Sequence, residues 1–381
     1  MRIRHQRVQG LSLIEIMIAL LIGSLLILGL VQVFAASRTA YQMSEGMARV
    51  QENARFALDF IQRDLRMAGH FGCVNDQSHL QTPGAMRTHF GATALYDPLN
   101  FTVSIAGFEA PGTAPGDTLE IGSAPALGAL PGGLGTLSPQ PIPGSDVLVL
   151  RYLGNVGAPV TGIADVGPTE ELTLATGRWD ALITGGRPDP GLYGIADCSH
   201  VDVFEGTSTG GTDAVVTVTQ PGASQDTDLV GRYTPQPSGQ TMLYRAESLV
   251  YYVSTGAGGQ PSLYRAYHNG AEYSEEELVE GIASMQLVFG LDREDELDTK
   301  PPTGYIDNLD IAQAGWDDLD WRRVGMVQVG LLASSPNRAA AEQAADRHVL
   351  GVNFTPPADN DGLYRSGYES TVALRNRLYG N

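Results

Sequence analysis

The first 70 residues carry two hydrophobic patterns, one after the other. From Leu11 to Ala36 the chain is almost continuously apolar, and Glu15 is its only charged residue. Further along, apolar residues recur at spacings of three and four, which predicts one face of an amphipathic helix. These residues are Met47, Val50, Ala54, Ala57, Leu58, Ile61, Leu65 and Ala68, whereas Arg49, Glu52, Arg55, Asp59, Arg63 and Asp64 are expected on other faces. With Gly69 as a C-cap, the pattern predicts one helix from Leu11 to about Ala68.

The first of these patterns is long enough to cross a membrane. Its 26 residues would extend about 39 Å as a helix, compared with roughly 30 Å for a hydrocarbon core. Arg2, Arg4 and Arg7 precede it without any acid, which favours a cytoplasmic N-terminus and an extracytoplasmic remainder. Two ordinary interpretations are a secretory signal cleaved near 33–36 and an uncleaved anchor with Glu15 at the membrane interface.

Glu15 needs an explanation because an acid deep in a membrane span costs on the order of 2.5–3.5 kcal/mol. Gly10 lies immediately before the apolar segment. If the chain is cut after Gly10, Leu11 gains a free amino group one helical turn from Glu15. The carboxylate can then neutralise that amine, or the amine of a neighbouring copy, and set the stagger between packed helices.

From about residue 74 the pattern changes to short strands separated by glycine and proline. Segments 249–254 and 262–267 flank a glycine-rich turn and predict a hairpin. Segments 110–116 and 129–144 are expected to be surface loops, with a flexible linker between domains as the alternative. Segment 337–348 is expected to be a short helix or a mobile excursion. The predicted strands are 117–122, 146–154, 171–176, 200–206, 214–220, 249–254, 262–267, 285–292, 324–333 and 370–378.

The composition agrees with a folded, β-rich body. Of 381 residues, 43% are hydrophobic, which excludes a mainly disordered chain, and 46 glycines and 22 prolines indicate many turns. The net charge is −19 and the pI is about 4.6. Because the chain also lacks a stripe of basic and aromatic residues, nucleic acid is not an expected partner.

The N-terminal motif resembles that of a known group of proteins. A short basic leader, Gly10, an apolar residue, Ser-Leu-Ile-Glu and about twenty apolar residues are similar to the class III signal of type IV pilins and of type II secretion pseudopilins. The resemblance implies that a prepilin peptidase cleaves between Gly10 and Leu11 and N-methylates Leu11, and that Glu15 is the assembly carboxylate. The implied parts are a cytoplasmic leader (1–10), a transmembrane and filament-core half-helix (11–36), an amphipathic half-helix (37–70) and an extracytoplasmic head (71–381).

Later segments narrow the resemblance to minor pilins of the PilW type, which are related to J-type minor pseudopilins. They are 63–73 at the helix end, 145–152, the tyrosine-rich hairpin, 277–292 and 371–376. Segments 80–145 and 180–240 match nothing in that family, and we expect the features that are special to this chain to lie there. The large K-type pseudopilins typically lack the acid that Glu15 provides.

The resemblance implies an α+β, type IV pilin-like fold, in which the long helix packs on a large antiparallel β-rich head. It also implies a non-enzymatic protein that helps to prime pilus assembly and lies at or near the pilus tip. Its partners would be other minor pilins, the major pilin, prepilin peptidase and the inner-membrane assembly platform. It would lie in the inner membrane with a periplasmic head, and then in the extracellular pilus. The alternatives are a J-type pseudopilin of a type II secretion system and a membrane-anchored periplasmic binding or enzymatic domain.

Two further motifs concern the head. Outside the cytoplasm, Cys73 and Cys198 are expected to form a disulfide, with two separate buried thiols as the alternative. Residues 206–210 match the G-x-S-x-G of a hydrolase nucleophile elbow. A strand is predicted on either side of this motif, whereas the elbow needs a following helix, so a hairpin turn is expected instead.

Calcium is the one candidate cofactor, and its candidate ligands are weak. Residues 359–362 resemble part of an EF-hand loop, but proline and tyrosine occupy its first and twelfth positions, at 357 and 368. A second acidic run covers 292–298. The candidate ligands are Asp292, Glu294, Asp295, Asp359 and Asp361. Solvated acidic loops are the alternative, and no other cofactor is expected.

Overall fold

The computed structural model describes residues 12–92, 94–183, 187, 189–219, 228–297, 299–339, 346–359 and 361–377. Its first element is α1 (Leu13–Leu65), a continuous helix of 53 residues that extends about 80 Å. The predicted single long helix is therefore confirmed, although its predicted first residue, Leu11, lies outside the described part of the chain. The predicted C-cap is wrong in detail, because Arg66 caps the helix and Gly69, at φ +79°, closes a further turn.

The two halves of α1 differ in what surrounds them. From Leu13 to Glu45 every residue except Gly23 is exposed, and the apolar part of this stretch, up to Ala36, is long enough to cross a membrane. Beyond it, one face is buried against the head, as the apolar spacing predicts. The fully buried residues of that face are Val50, Ala54, Ala57, Ile61 and Leu65.

The remaining helices are short and the head is dominated by strands. The helices are α2 (Asp76–Gln81), α3 (Leu229–Arg232) and α4 (Asp318–Arg322), with 3-10 turns at Gly132–Thr136 and Trp179–Ala181. The strands within the described ranges are β1 (His70–Phe71), β2 (Val74–Asn75), β3 (Met86–Thr88), β4 (Ile105–Phe108), β5 (Thr118–Glu120), β6 (Val147–Leu153), β7 (Ala158–Val166), β8 (Thr169–Leu174), β9 (Leu192–Ala196), β10 (Val201–Ser208), β11 (Val215–Thr219), β12 (Met242–Thr255), β13 (Pro261–His268), β14 (Tyr273–Glu280), β15 (Ile282–Asp292), β16 (Ile306–Asp310), β17 (Val324–Arg338), β18 (Arg347–Val349), β19 (Val352–Thr355) and β20 (Leu363–Ala373).

Two antiparallel sheets and α1 share the main core. One sheet has the order β4-β6-β12-β13-β14 and the other the order β16-β15-β17-β20. Gly281 connects them between β14 and β15. It has φ +81°, and a Cβ there would lie 2.6 Å from the carbonyl oxygen of Ser334, so only glycine fits. The predicted β-rich head beneath the amphipathic half-helix is confirmed.

A second unit within the head is a closed barrel of six antiparallel strands. Its strands pair in the ring β7-β8-β11-β10-β9-β12, and β12 returns to β7. The strand β12 belongs to both units, because Met242–Arg245 pair within the barrel and residues 246–255 pair within the five-stranded sheet. The barrel has its own apolar interior, which includes Tyr193, Ile195, Phe204, Val216 and Leu243.

Each predicted strand overlaps an observed strand, and the differences concern strand ends and strands that the sequence pattern does not reveal. The last predicted strand, 370–378, is correct over 370–373 and wrong in its end, because β20 runs from Leu363 to Ala373 and a turn follows. Strands β1 to β4, β18 and β19 were not predicted because each has at most four residues. Strands β7, β9, β14 and β16 were not predicted because apolar and polar residues do not alternate in them, and their neighbours hold them in place. Residues 206–210 form the end of β10 and its turn to β11, so the expected hairpin is confirmed. Residues 340–345 of the uncertain segment lie outside the described part of the chain.

The disulfide between Cys73 and Cys198 fastens the barrel to the end of α1. Cys73 follows the turn that ends the helix, and Cys198 lies between β9 and β10, 125 residues further along the chain. Beside it, Nδ1 of His70 lies 2.8 Å from the carbonyl oxygen of Leu153, at the end of β6. The predicted disulfide is present, and the barrel therefore lies near the end of α1 that is farthest from its exposed apolar half.

Removing this disulfide should destabilise the head. Closing a loop of 125 residues restricts the unfolded chain, so we expect the double variant Cys73→Ser/Cys198→Ser to lose about 2–5 kcal/mol of unfolding free energy. Guanidinium unfolding of the full chain in detergent measures the change. Wild-type protein under reducing conditions is the matched control and should behave like the variant. Equal unfolding midpoints for oxidised wild type and variant would contradict the expectation.

Candidate functional site

The start of α1 is organised by Ser12 and Glu15. The Ser12 Oγ accepts a hydrogen bond from the Glu15 backbone nitrogen at 3.2 Å, and Glu15 Oε2 accepts one from the Ser12 nitrogen at 3.4 Å. This capping box satisfies backbone donors that have no partner within the helix. It also turns the carboxylate back towards the start of the chain, to the residue that follows Leu11. The predicted cleavage residues, Gly10 and Leu11, lie outside the described residues.

The exposed half of α1 presents apolar side chains that are unfavourable in water. Large apolar side chains surround it, with Leu13 79% exposed and Phe34 69% exposed. An all-round apolar helix is stable in lipid or among other apolar helices. This half can therefore act as an anchor or as one helix of a bundle.

The other end of α1 is held by a buried charge cluster around Asp64, whose position the sequence pattern predicted wrongly. Asp64 was expected on a polar face, but it is only 5% exposed. Its Oδ2 accepts hydrogen bonds from Tyr251 Oη at 2.5 Å and from Arg265 Nη1 at 3.0 Å. Burial, followed by the charge of Asp64, raises the pKa of Tyr251 well above its usual value, so the hydroxyl stays a donor. The predicted polar face is therefore wrong for Asp64, whose position in the series 54–57–61–64 fits the apolar stripe.

A buried acid, Asp146, joins the two sheets, and the half-buried Glu109 lies close to it. Asp146, just before β6, accepts hydrogen bonds from the backbone nitrogen of Ala110 at 2.9 Å and from that of Leu287, in β15, at 2.8 Å. Burial raises the pKa of Asp146 to about 7, and burial together with the charge of Asp146 raises the pKa of Glu109 to about 9. The hydrogen bonds of Asp146 therefore link the start of β6 to β15 and to the loop after β4.

The barrel contains a buried polar cluster around Asp202. Its carboxylate lies 2.8 Å from His89 Nε2 and accepts hydrogen bonds from Arg232 Nε at 2.6 Å and Tyr233 Oη at 2.5 Å. Although burial alone would raise it, the hydrogen bonds from His89 and Tyr233 lower the pKa of Asp202. Asp202 is fully buried. The cluster thus ties β3 and α3 to the barrel wall.

Three of the candidate calcium ligands are engaged with other groups. Asp292 is buried and accepts hydrogen bonds from the backbone nitrogens of Thr303 at 3.0 Å and Gly304 at 2.6 Å. Glu294 lies 3.4 Å from Lys300 Nζ, and Asp361 pairs with Arg365. Asp295 and Asp359 are exposed. In the part of the chain that the structure describes, no three His, Cys, Asp or Glu side chains are grouped as metal ligands, and calcium binding stays a prediction.

Comparison with known families gives two matches at opposite ends of the chain. The family model for the prokaryotic N-terminal methylation motif matches residues 5–31, and that for type IV pilus-assembly protein W (PilW) matches residues 250–376. No match was found among curated proteins or among solved structures.

The two matches correspond to distinct structural units. The methylation motif covers the exposed start of α1, and the PilW match runs from within β12 to just beyond β20. The match begins after β12 has left the barrel, so β7 to β11 lie outside both matched ranges. The second half of α1 and strands β1 to β6 also lie outside both ranges. Together the two matches confirm that the chain resembles type IV minor pilins of the PilW type.

Proposed function

We propose that this chain is a minor pilin that is cleaved after Gly10, waits in the inner membrane with its head in the periplasm, and is then transferred into a type IV pilus. There it acts with other minor pilins to prime assembly and lies at or near the tip. The observation that carries the proposal is the continuous helix α1, exposed and apolar over its first half and buried in the head over its second. The PilW match favours a pilus over a secretion system.

The helix supports transfer between two environments without refolding. Because α1 is continuous and its buried face lies wholly beyond Glu45, the head holds its own half while the other half exchanges lipid for neighbouring helices. Apolar helix surface is about equally compatible with lipid tails and with packed helices. The exchange therefore costs little, and specific contacts can direct it.

Glu15 is the group that would direct the exchange. Its carboxylate already lies at the helix start, within hydrogen-bond distance of the Ser12 nitrogen. After cleavage the Leu11 amine would be the nearest positive charge, either in the same chain or in a neighbour. Pairing with the amine of a neighbouring pilin would satisfy both charges inside a filament core, where neither can be hydrated.

The position of the barrel supports a place at the tip. It is fastened by the Cys73–Cys198 disulfide near the end of α1 that is farthest from the membrane half. In a filament of parallel helices, that end faces the next subunit outward. A barrel there would occupy the space of an outer neighbour, whereas the tip has no outer neighbour.

Replacing Glu15 should separate anchoring from assembly. In Glu15→Gln we expect normal membrane insertion and cleavage, but at least about tenfold fewer assembled pili, because a hydrogen bond to a charged group is worth about 1.5–3 kcal/mol. Counting surface pili by electron microscopy, in a strain whose only copy is the variant, measures this. Glu45→Gln is the matched control, since Glu45 is an exposed acid on the same helix beyond the apolar half. Wild-type piliation in Glu15→Gln would contradict the role given to this carboxylate.

A label in the barrel should mark pilus ends. The turn between β7 and β8 at Gly167 is exposed, with nothing near a Cβ built there, so a short epitope inserted at this position should not disturb packing. We expect gold-conjugated antibody to label one end of each pilus. The same epitope at Gly315, another open position, is the control for the insertion itself. Label distributed along the shaft would refute the tip position.

A further inference from the structure

A cleft of about 460 Å³ lies where the end of α1, the five-stranded sheet and the barrel connection meet. We call it the seam cleft. It is lined by Arg63 of α1, Arg245 and Glu247 of β12, Arg265 and Tyr267 of β13, and Arg187, which follows the Trp179–Ala181 turn. Its volume is in the range of ordinary ligand sites, and none of the roles proposed above uses it.

The charge of the seam cleft differs from that of the head around it. Residues 70–381 contain 16 basic and 38 acidic residues, a net charge of −22. The cleft lining contains four arginines and three acids, and is therefore net positive. Since the surrounding field repels anions, an anion that binds here must be held by short-range contacts to the cleft arginines.

Arg187 is fixed in a geometry suited to a carboxylate. Its guanidinium carbon lies 3.7 Å from the ring centroid of Tyr267, and its Nη2 donates to both carboxylate oxygens of Glu247 at 2.9 Å. The side chain is only 28% exposed. A guanidinium has five N–H donors, and within the described residues the contact to Glu247 uses those of Nη2. A planar, held guanidinium with further donors binds carboxylates in a defined orientation.

Arg63 supplies a second and more exposed positive charge. It lies on α1 at the edge of the cleft, is 66% exposed, and has its Nε 3.5 Å from Asp64 Oδ1. Arg265, in contrast, is fully committed to Asp64 and Glu276. The cleft therefore offers two separate cationic groups to a ligand that carries more than one negative charge.

An exposed apolar side chain in the lining of the cleft favours a polypeptide over a small anion as the ligand. Val156, in the connection from β6 to the barrel, lines the cleft and is 43% exposed. A peptide can cover such a side chain while its carboxylates reach Arg187 and Arg63. We propose that the seam cleft binds an acidic, extended segment of a partner protein, with two carboxylates held by Arg187 and Arg63.

A binding measurement with synthetic peptides tests this proposal directly. The full chain in detergent micelles, at pH 7 and low salt, is titrated with fluorescent hexaglutamate and, as the neutral control, with hexaglutamine. We expect hexaglutamate to bind and hexaglutamine not to bind. Because residues 70–381 carry a net charge of −22, general attraction cannot hold hexaglutamate on the head, and the cleft variants below distinguish the seam cleft from the basic leader at 1–10. No binding of hexaglutamate, or equal binding of the two peptides, would overturn the proposal.

Variants then locate the site. We expect Arg187→Gln and Arg63→Gln each to weaken hexaglutamate binding about tenfold, the effect of losing one charged contact. Arg293→Gln is the matched control, because Arg293 is 68% exposed and lies outside the cleft. Arg63→Gln keeps the test valid should Arg187→Gln alter folding, which the unfolding midpoint reports. Unchanged affinity in both cleft variants would overturn the assignment, and since no step involves pili, it would leave the proposed function standing.

Discussion

The rest of the structure depends on the burial of one face of α1, over its second half only. Val50, Ala57, Ile61 and Leu65 enter a core that both sheets share, and Asp64 closes that contact through Tyr251 and Arg265. This contact fixes the helix to the head, so that the first half must project from it. An unaccompanied apolar half-helix of this length cannot stay in water. Insertion into a membrane and packing among the helices of a filament would each remove the apolar half of α1 from water.

The barrel depends on the same contact in a different way. It is joined to the two sheets and α1 through the shared strand β12 and through the disulfide beside the helix end. Because β12 belongs to both, it fixes the orientation of the barrel relative to the five-stranded sheet without a large interface between them. The two sheets with α1 and the barrel therefore keep separate cores, while the barrel is held at one end of the molecule. The seam cleft is a consequence of that joint, since it forms where two independently packed units meet.

Elements could be predicted from the sequence where the residues that determine them are close together in the chain, and not where they are far apart. The long helix and the β12–β13 hairpin follow from spacing and turn residues that lie within a few positions of each other. The barrel could not be predicted, because its closure depends on β12 pairing with β7 some 80 residues earlier, and its strand β9 is buried at every position and shows no alternation. Asp64 was misplaced for a different reason: its spacing fitted the buried stripe, but a carboxylate is expected in solvent unless its partners are known, and Tyr251 and Arg265 are distant in sequence. Cys73 and Cys198 could be paired because only one pairing exists.

The central claim is that α1 begins as an anchor and becomes part of a filament core once the leader is removed. Mass spectrometry of the N-terminal peptide of the purified full-length protein tests it most directly. The account predicts a chain that begins at Leu11 and carries one methyl group on its amino nitrogen. An intact Met1, or a new terminus near Ala36, would contradict it, because Glu15 would then have no amine to pair with or would have been removed.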